Sequence, residues 1–321
     1  MSLTSTLALS LDRIRTAHER IRPYIHRTPV LTSSRFDEAS GVQLFFKCEN
    51  FQKIGAFKAR GATNAVFALD NTSAKRGVVT HSSGNHGTAL ARAAKLRKIP
   101  ARIVMPKNSA KVKVRAVENY GANIVFCEAT QEGREAACAA LIAETDATLV
   151  HPFENEDVMA GQGTAAIEFL EDADLDLVLC PIGGGGLLCG TAVAAKSMQP
   201  KIKVVAVEPA NADDAAKSFR AGRRIVTKKN FTIADGLRTN VGERNFPIIQ
   251  HYVDDVVTVS EGAIASAMRT IWETMKIVIE PSAAVPYAAI LEEKIDIVGK
   301  RVGIILTGGN VDLDALPWMK A

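Results

Sequence analysis

Four glycine-bearing segments carry residue types that could act together chemically. In CPIGGGGLLCG, Gly183, Gly184, Gly185 and Gly186 stand between an apolar run and a small-residue helical pattern. Four residues without side chains let successive N–H groups turn towards one point. The helix start that follows adds partial positive charge, so the segment can cradle a phosphate or another anion. A dinucleotide fingerprint begun at Gly183 would need glycine where Leu188 stands, and a Walker loop begun at Gly185 would need lysine where Thr191 stands. In NFQKIGAFKARGATNAVFAL, Lys58 lies between Phe57 and Ala59 where helical periodicity begins. The positive potential of a helix N-terminus and desolvation by Phe57 both favour the neutral amine, the form that attacks an aldehyde. Its immediate neighbours alone favour a solvated lysine.

In VVTHSSGNHGTALARAAK, a strand pattern breaks at Ser82-Ser83-Gly84-Asn85 before an alanine-rich helix. Two hydroxyls, an amide and helix-start N–H groups can grip a carboxylate and a ring hydroxyl; an ordinary N-cap is an equal local reading, with His86 a polar first-turn residue. In RVGIILTGGNVDL, Thr307 ends a strand pattern and could hydrogen-bond a heteroaromatic nitrogen, or simply lead into the turn.

The elements that must position these segments alternate along the chain. VQLFFKC, GVVTH, ARIVMP, NIVFC, ATLVHP, LDLVLCPI, IKVVAVEP and RVGIIL read as buried strands, and amphipathic segments such as HGTALARAAKLRK and GAIASAMRTIWETMK lie between them. This predicts an α/β fold of open, twisted, mostly parallel sheets flanked by helices, with two sheets rather than one. Ligands gather at the carboxyl ends of parallel strands, which is where three of the four segments fall. Three β-then-α units in succession suggest a small domain over 77–147, with 1–76 and 148–321 forming a larger discontinuous one.

Composition narrows the function classes. The 321 residues are 47% hydrophobic and 23% charged, as expected of a globular chain with a substantial core. A formal net charge of +4, spread along the chain, gives no footprint for nucleic acid, and the basic stretch Lys107 to Arg115 reads as a solvated loop and helix start. Five cysteines without a C-x-x-C pair indicate neither a disulfide framework nor a zinc site. No apolar run suits a membrane span, and the first twenty residues lack a signal-peptide pattern, so a cytoplasmic protein acting on a small molecule is expected.

Taken in order, HRTPVLTSS, FFKCENFQKIGAFKARGA, THSSGNHG, HPFENEDVMAGQGT, PIGGGGLL, VEPANADDA, TIADGLR, IEPSAAV and TGGNVDL resemble the fold-type II pyridoxal-phosphate enzymes, whose fold is tryptophan synthase β-like. Within that group the chain is most similar to serine racemases, threo-3-hydroxyaspartate ammonia-lyases and catabolic threonine dehydratases. The resemblance implies two α/β domains with pyridoxal 5′-phosphate in the cleft, and a homodimer. Lys58 would hold the cofactor as an imine, with Phe57 flanking the ring, Asn85 on the ring hydroxyl, Gly183 to Gly186 on the phosphate and Thr307 facing the pyridine nitrogen. Ser82, Ser83 and Asn85 would bind the substrate carboxylate, and Ser83 would be the acid/base opposite Lys58. Glu208, Ala212 and Asp214 would hold magnesium, calcium or manganese. The implied activity is elimination of water from a 3-hydroxy amino acid (3-hydroxyaspartate, serine or threonine) to give a 2-oxo acid and ammonia; the alternative is a serine racemase with dehydratase side activity. A dicarboxylate substrate would need a further cation, for which Arg134 and Arg238 are the candidates.

Overall fold

The structure, a computed structural model, describes residues 9–82, 84–227 and 231–319. Its strands form two sheets. The larger contains β1 (Val30–Leu31), β2 (Gln43–Cys48), β7 (Leu177–Pro181), β8 (Lys203–Pro209), β9 (Asp255–Val259) and β10 (Arg301–Leu306), in the order β1-β2-β10-β7-β8-β9. The smaller contains β3 (Val78–His81), β4 (Ala101–Pro106), β5 (Asn123–Cys127) and β6 (Thr148–Leu149), in the order β5-β4-β3-β6. Every pairing is parallel except β1 with β2.

Helices cover both faces of the larger sheet, as a parallel sheet requires. Leu177, Leu179, Val205, Val207, Val302 and Ile304 point into one core, shared with α12 (Glu261–Met275) and α13 (Pro281–Leu291) and flanked by α2 (Ser34–Ser40). Their alternates Val178, Cys180, Val204, Ala206 and Ile305 point into another, shared with α1 (Leu11–Ile21), α8 (Glu156–Asp172), α9 (Gly186–Met198), α10 (Asp214–Ala221) and α11 (Phe246–Tyr252). The smaller sheet is flanked by α5 (Asn85–Arg97), α6 (Lys111–Glu118) and α7 (Gln131–Thr145), and α3 (Lys58–Ala68) and α4 (Asn71–Arg76) lie between β2 and β3 in sequence.

The sheet order explains why distant motifs meet. β10 lies between β2 and β7, with Leu306 opposite Cys48 and Ile304 opposite Leu179. The chain leaving β2 leads to Lys58, that leaving β10 begins with Thr307, and that leaving β7 becomes the tetraglycine turn. Three adjacent parallel strands thus deliver three of the chemical segments at one edge. All five cysteines are free and buried, and no helix among the described residues is long and apolar enough to cross a membrane.

Candidate active site

Lys58 opens α3, and its position is fixed by β10. The N–H of Phe57 donates to the Thr307 carbonyl at 3.0 Å, and Ala56 forms an isolated bridge with Gly308. Lys58 Nζ donates to the carbonyl of Pro152 at 2.8 Å and lies 5.1 Å from the Phe57 ring centroid. Burial pulls this amine down to about 8 from the ordinary lysine value, which enriches the nucleophilic neutral form.

Beside it, Thr307 is 3% exposed and its Oγ1 has no hydrogen-bond partner. A buried hydroxyl left unpaired is costly, so this one is suited to meet a ligand atom. The N–H groups of Gly183, Gly184 and Gly185 likewise have no acceptor among the described residues. Gly185 sits at φ +96°, where a side chain would be strained, and caps the N-terminus of α9. A Cβ on Gly184 would lie 2.3 Å from the Phe153 ring. An unmet hydroxyl, unmet N–H donors at a helix start and a desolvated amine form a donor set that fits a phosphorylated heteroaromatic aldehyde.

The small-sheet side closes the site. Ser82 follows β3; its N–H donates to the Val104 carbonyl at 3.1 Å, and its Oγ accepts from the Gly84 N–H at 3.3 Å. Asn85 begins α5 and donates through Nδ2 to Glu280 at 2.9 Å, while its Oδ1 accepts from Asn310 Nδ2 at 2.9 Å. Ser83 lies outside the described residues.

A model of the family described as pyridoxal-phosphate dependent enzymes matches residues 21–308. The chain belongs to that family. A beta-hydroxyaspartate dehydratase of Paracoccus denitrificans is 50% identical over 303 residues, 94% of this chain and 96% of that protein. A serine racemase of Dictyostelium discoideum is 50% identical over 315 residues, 96% of this chain and 97% of that one. The crystal structure of serine racemase from Dictyostelium discoideum superposes with a TM-score of 0.92 at 50% identity, covering 95% of this chain and all of that one.

In this pyridoxal-phosphate enzyme, Arg134 stands in the first turn of α7, half-buried, and its Nε has no hydrogen-bond partner. Burial, with a smaller contribution from the Arg134 charge, depresses the pKa of His81, the residue just before Ser82. Arg238 is instead exposed and turned to the Thr232 carbonyl, with Nε at 2.9 Å and Nη2 at 2.7 Å. Of the two candidate cations, Arg134 is the one whose charge reaches His81, ahead of the Ser82 turn.

Glu208 lies near the end of β8, and Ala212 and Asp214 follow on the turn into α10; each is about 1% exposed or less. Glu208 accepts from the N–H groups of Ala215 at 3.0 Å and Ala216 at 2.9 Å, and Asp214 Oδ2 from that of Val241 at 2.7 Å. Asp214 Oδ1 has no partner. Burial and the neighbouring Asp214 push Glu208 up to about 9, and burial pushes Asp214 up to about 6. Two buried carboxylates with an unsatisfied oxygen suit a hard cation, although among the described residues no three His, Cys, Asp or Glu side chains cluster as a metal site.

Several site residues escaped the sequence reading. Glu280, the residue before α13, is 5% exposed, holds Asn85 and is pushed up to about 7 by burial and by Asp235. Asn310 bridges Asn85 to the Ile54 carbonyl, at 2.8 Å, and so braces Ile54, a β-branched residue held at φ +62°. His86 stands in the first turn of α5, where it is 2% exposed, its Nε2 lies 2.9 Å from the Val150 carbonyl, and burial with nearby Lys58 drives it down to about 3. The loop at 151–154 supplies the carbonyl facing Lys58 and the ring packed on the tetraglycine.

Proposed function

We propose that the protein eliminates water from a 3-hydroxy amino acid, giving a 2-oxo acid and ammonia, with 3-hydroxyaspartate preferred over serine and threonine. The observation that carries this reading is the convergence of Lys58 Nζ, the unmet Thr307 hydroxyl and the unmet glycine N–H groups at one sheet edge. Bound pyridoxal phosphate supplies an electron sink for charge developing at Cα. Gly183 to Gly186 hold its phosphate, Lys58 anchors it with Phe57 beside the ring, and Asn85 is placed for the ring hydroxyl. Thr307 offers the ring nitrogen a neutral partner, which restrains the sink and suits elimination. Ser82, Ser83, Asn85 and the start of α5 take the substrate carboxylate. Lys58, whose amine is drawn towards neutrality, takes the Cα proton. Arg134 receives the second carboxylate of a dicarboxylic substrate.

Serine racemisation is the second reading, supported by the 50% identical Dictyostelium serine racemase and dependent on Ser83 as the opposite-face acid/base. A kinetic panel of L-serine, D-serine, L-threonine and the 3-hydroxyaspartate diastereomers, with 2-oxo acid and ammonia counted together, separates the two. Dehydration predicts equal amounts of both products, fastest from a 3-hydroxyaspartate. Arg134→Met should cut kcat/KM for that substrate by roughly tenfold to a hundredfold, the worth of a charge-assisted hydrogen bond, and leave serine nearly unaffected. D-serine formed from L-serine faster than pyruvate would decide for racemisation.

A divalent cation at Glu208, Ala212 and Asp214 belongs to the same proposal. Saturating magnesium should raise the melting temperature by about 4 °C through binding to the folded state alone. Asp214→Asn should remove that shift, and a wild-type melting curve indifferent to both magnesium and chelator would speak against the site. The division into domains 1–76 with 148–321 and 77–147, the homodimer and the cytoplasmic location are retained as proposals. The two sheets support the first, and five free cysteines are compatible with a reducing compartment.

A further inference from the structure

Two residues after Lys58, a fully buried lattice of four charges grips the same helix turn. Arg60 is 0% exposed. Its Nε reaches Glu49 Oε2 at 2.7 Å, and its Nη2 reaches Glu49 Oε1 at 2.8 Å and Glu168 Oε2 at 2.7 Å. Its Nη1 reaches Glu168 Oε1 at 2.8 Å and Thr164 Oγ1 at 3.1 Å. Lys47 closes the lattice on Glu168 at 2.8 Å and on the Thr28 carbonyl at 2.7 Å, and Thr28 Oγ1 donates to Glu49 at 2.5 Å. Two cations meet two anions, so the lattice is electrically balanced, and all five guanidinium hydrogens have acceptors.

Such a lattice adds little stability over apolar packing of the same volume. What a planar fork adds is direction. Glu49 immediately follows β2, Thr164 and Glu168 lie on α8, and Arg60 therefore ties the first turn of α3 to both. The next residue tightens the joint: the Gly61 N–H donates to Gln162 Oε1 at 3.0 Å, and a Cβ on Gly161 would come within 2.6 Å of Gly61 Cα. Residues two apart on an α-helix project roughly 200° apart. Clamping the Arg60 side of α3 therefore fixes the direction in which Lys58 leaves the opposite side, towards the Pro152 carbonyl.

We infer that Arg60 is a positioning residue for Lys58, setting the rotation of α3 and hence where the cofactor-bearing amine stands. This inference rests on the assignment of Lys58 as the cofactor lysine. Arg60→Lys keeps the charge but cannot serve Glu49 and Glu168 with one fork. The purified holoenzyme of this variant is expected to retain the visible absorption band of the cofactor but to show altered visible circular dichroism, which reports how the protein holds that group. Its kcat should fall roughly tenfold to a hundredfold with KM little changed, the penalty of a displaced reacting group. Met268→Ala, a buried truncation on α12, serves as the control: it should lower the melting temperature and leave both signals alone.

An Arg60→Lys enzyme with a lowered melting temperature but wild-type dichroism and kcat would overturn the inference. If that variant does not accumulate as folded holoenzyme, Glu49→Gln decides by the same two readouts: a shift in dichroism with a loss of kcat supports positioning, and unchanged values overturn it. Lys58→Ala keeps the two levels apart, because a cofactor band that survived in it would refute the Lys58 assignment itself.

Discussion

Lys58→Ala should lose the visible absorption of bound pyridoxal phosphate and at least roughly a thousandfold of turnover, because one amine serves both as anchor and as base. Lys58 is fixed by the bond from Phe57 to Thr307 and faces the Pro152 carbonyl. Burial lowers its proton affinity, so the substitution also removes a group whose neutral form is enriched near pH 8. The fold should survive, since alanine is a good helix former at the start of α3. Absorbance and circular dichroism of the purified variant, with turnover measured on the same sample, check all three expectations.

The second large effect is expected at Gly184. A Cβ there would fall 2.3 to 2.5 Å from three carbon atoms of the Phe153 ring, well inside contact distance. That ring has little room to retreat. His151 stands edge-on to it with centroids 4.6 Å apart, and Asn245 Nδ2 donates to the Phe153 carbonyl at 3.1 Å. Gly184→Val must therefore displace either the glycine turn or the 151–154 loop, and the loop carries the carbonyl that meets Lys58. Overpacking of this kind costs about 1–3 kcal/mol, so affinity for pyridoxal phosphate should weaken by roughly tenfold to a hundredfold. Titration of the apoenzyme with cofactor measures it, and unchanged affinity would mean that the turn does not carry the phosphate.

Only the tetraglycine announces itself by composition. Lys58 and the Ser-Ser-Gly-Asn turn are ambiguous taken singly, and become legible through the order of the motifs along the whole chain. The parallel strands were legible because strands buried on both faces are continuous apolar runs, and seven of the eight named runs became strands of four residues or more. ATLVHP is the exception, since only Thr148 and Leu149 pair with β3. Edge strand β9, DVVTV, went unnamed because its pattern is half-exposed and begins with aspartate.

What the sequence could not show were groups whose role comes from tertiary neighbours. The carbonyl of Pro152 has no side-chain signature. Glu280 precedes Pro281 and reads as the ordinary acidic start of a helix; only its burial against Asn85 and Gly308 reveals another role. Arg60 reads as one more charge in an amphipathic segment, and its four partners are His26, Glu49, Thr164 and Glu168, all distant in sequence or on other elements. Arg134 and Arg238 look equivalent in the sequence; in the structure the charge of Arg134 is felt at His81, whereas Arg238 binds the Thr232 carbonyl.

The central claim is that Lys58 carries the cofactor, and chemical trapping tests it most directly. Borohydride reduction of the holoenzyme followed by proteolysis and mass spectrometry should place a phosphopyridoxyl group on the peptide containing Lys58, at about one per chain. Label on another lysine, with Lys58 unmodified, would contradict the account.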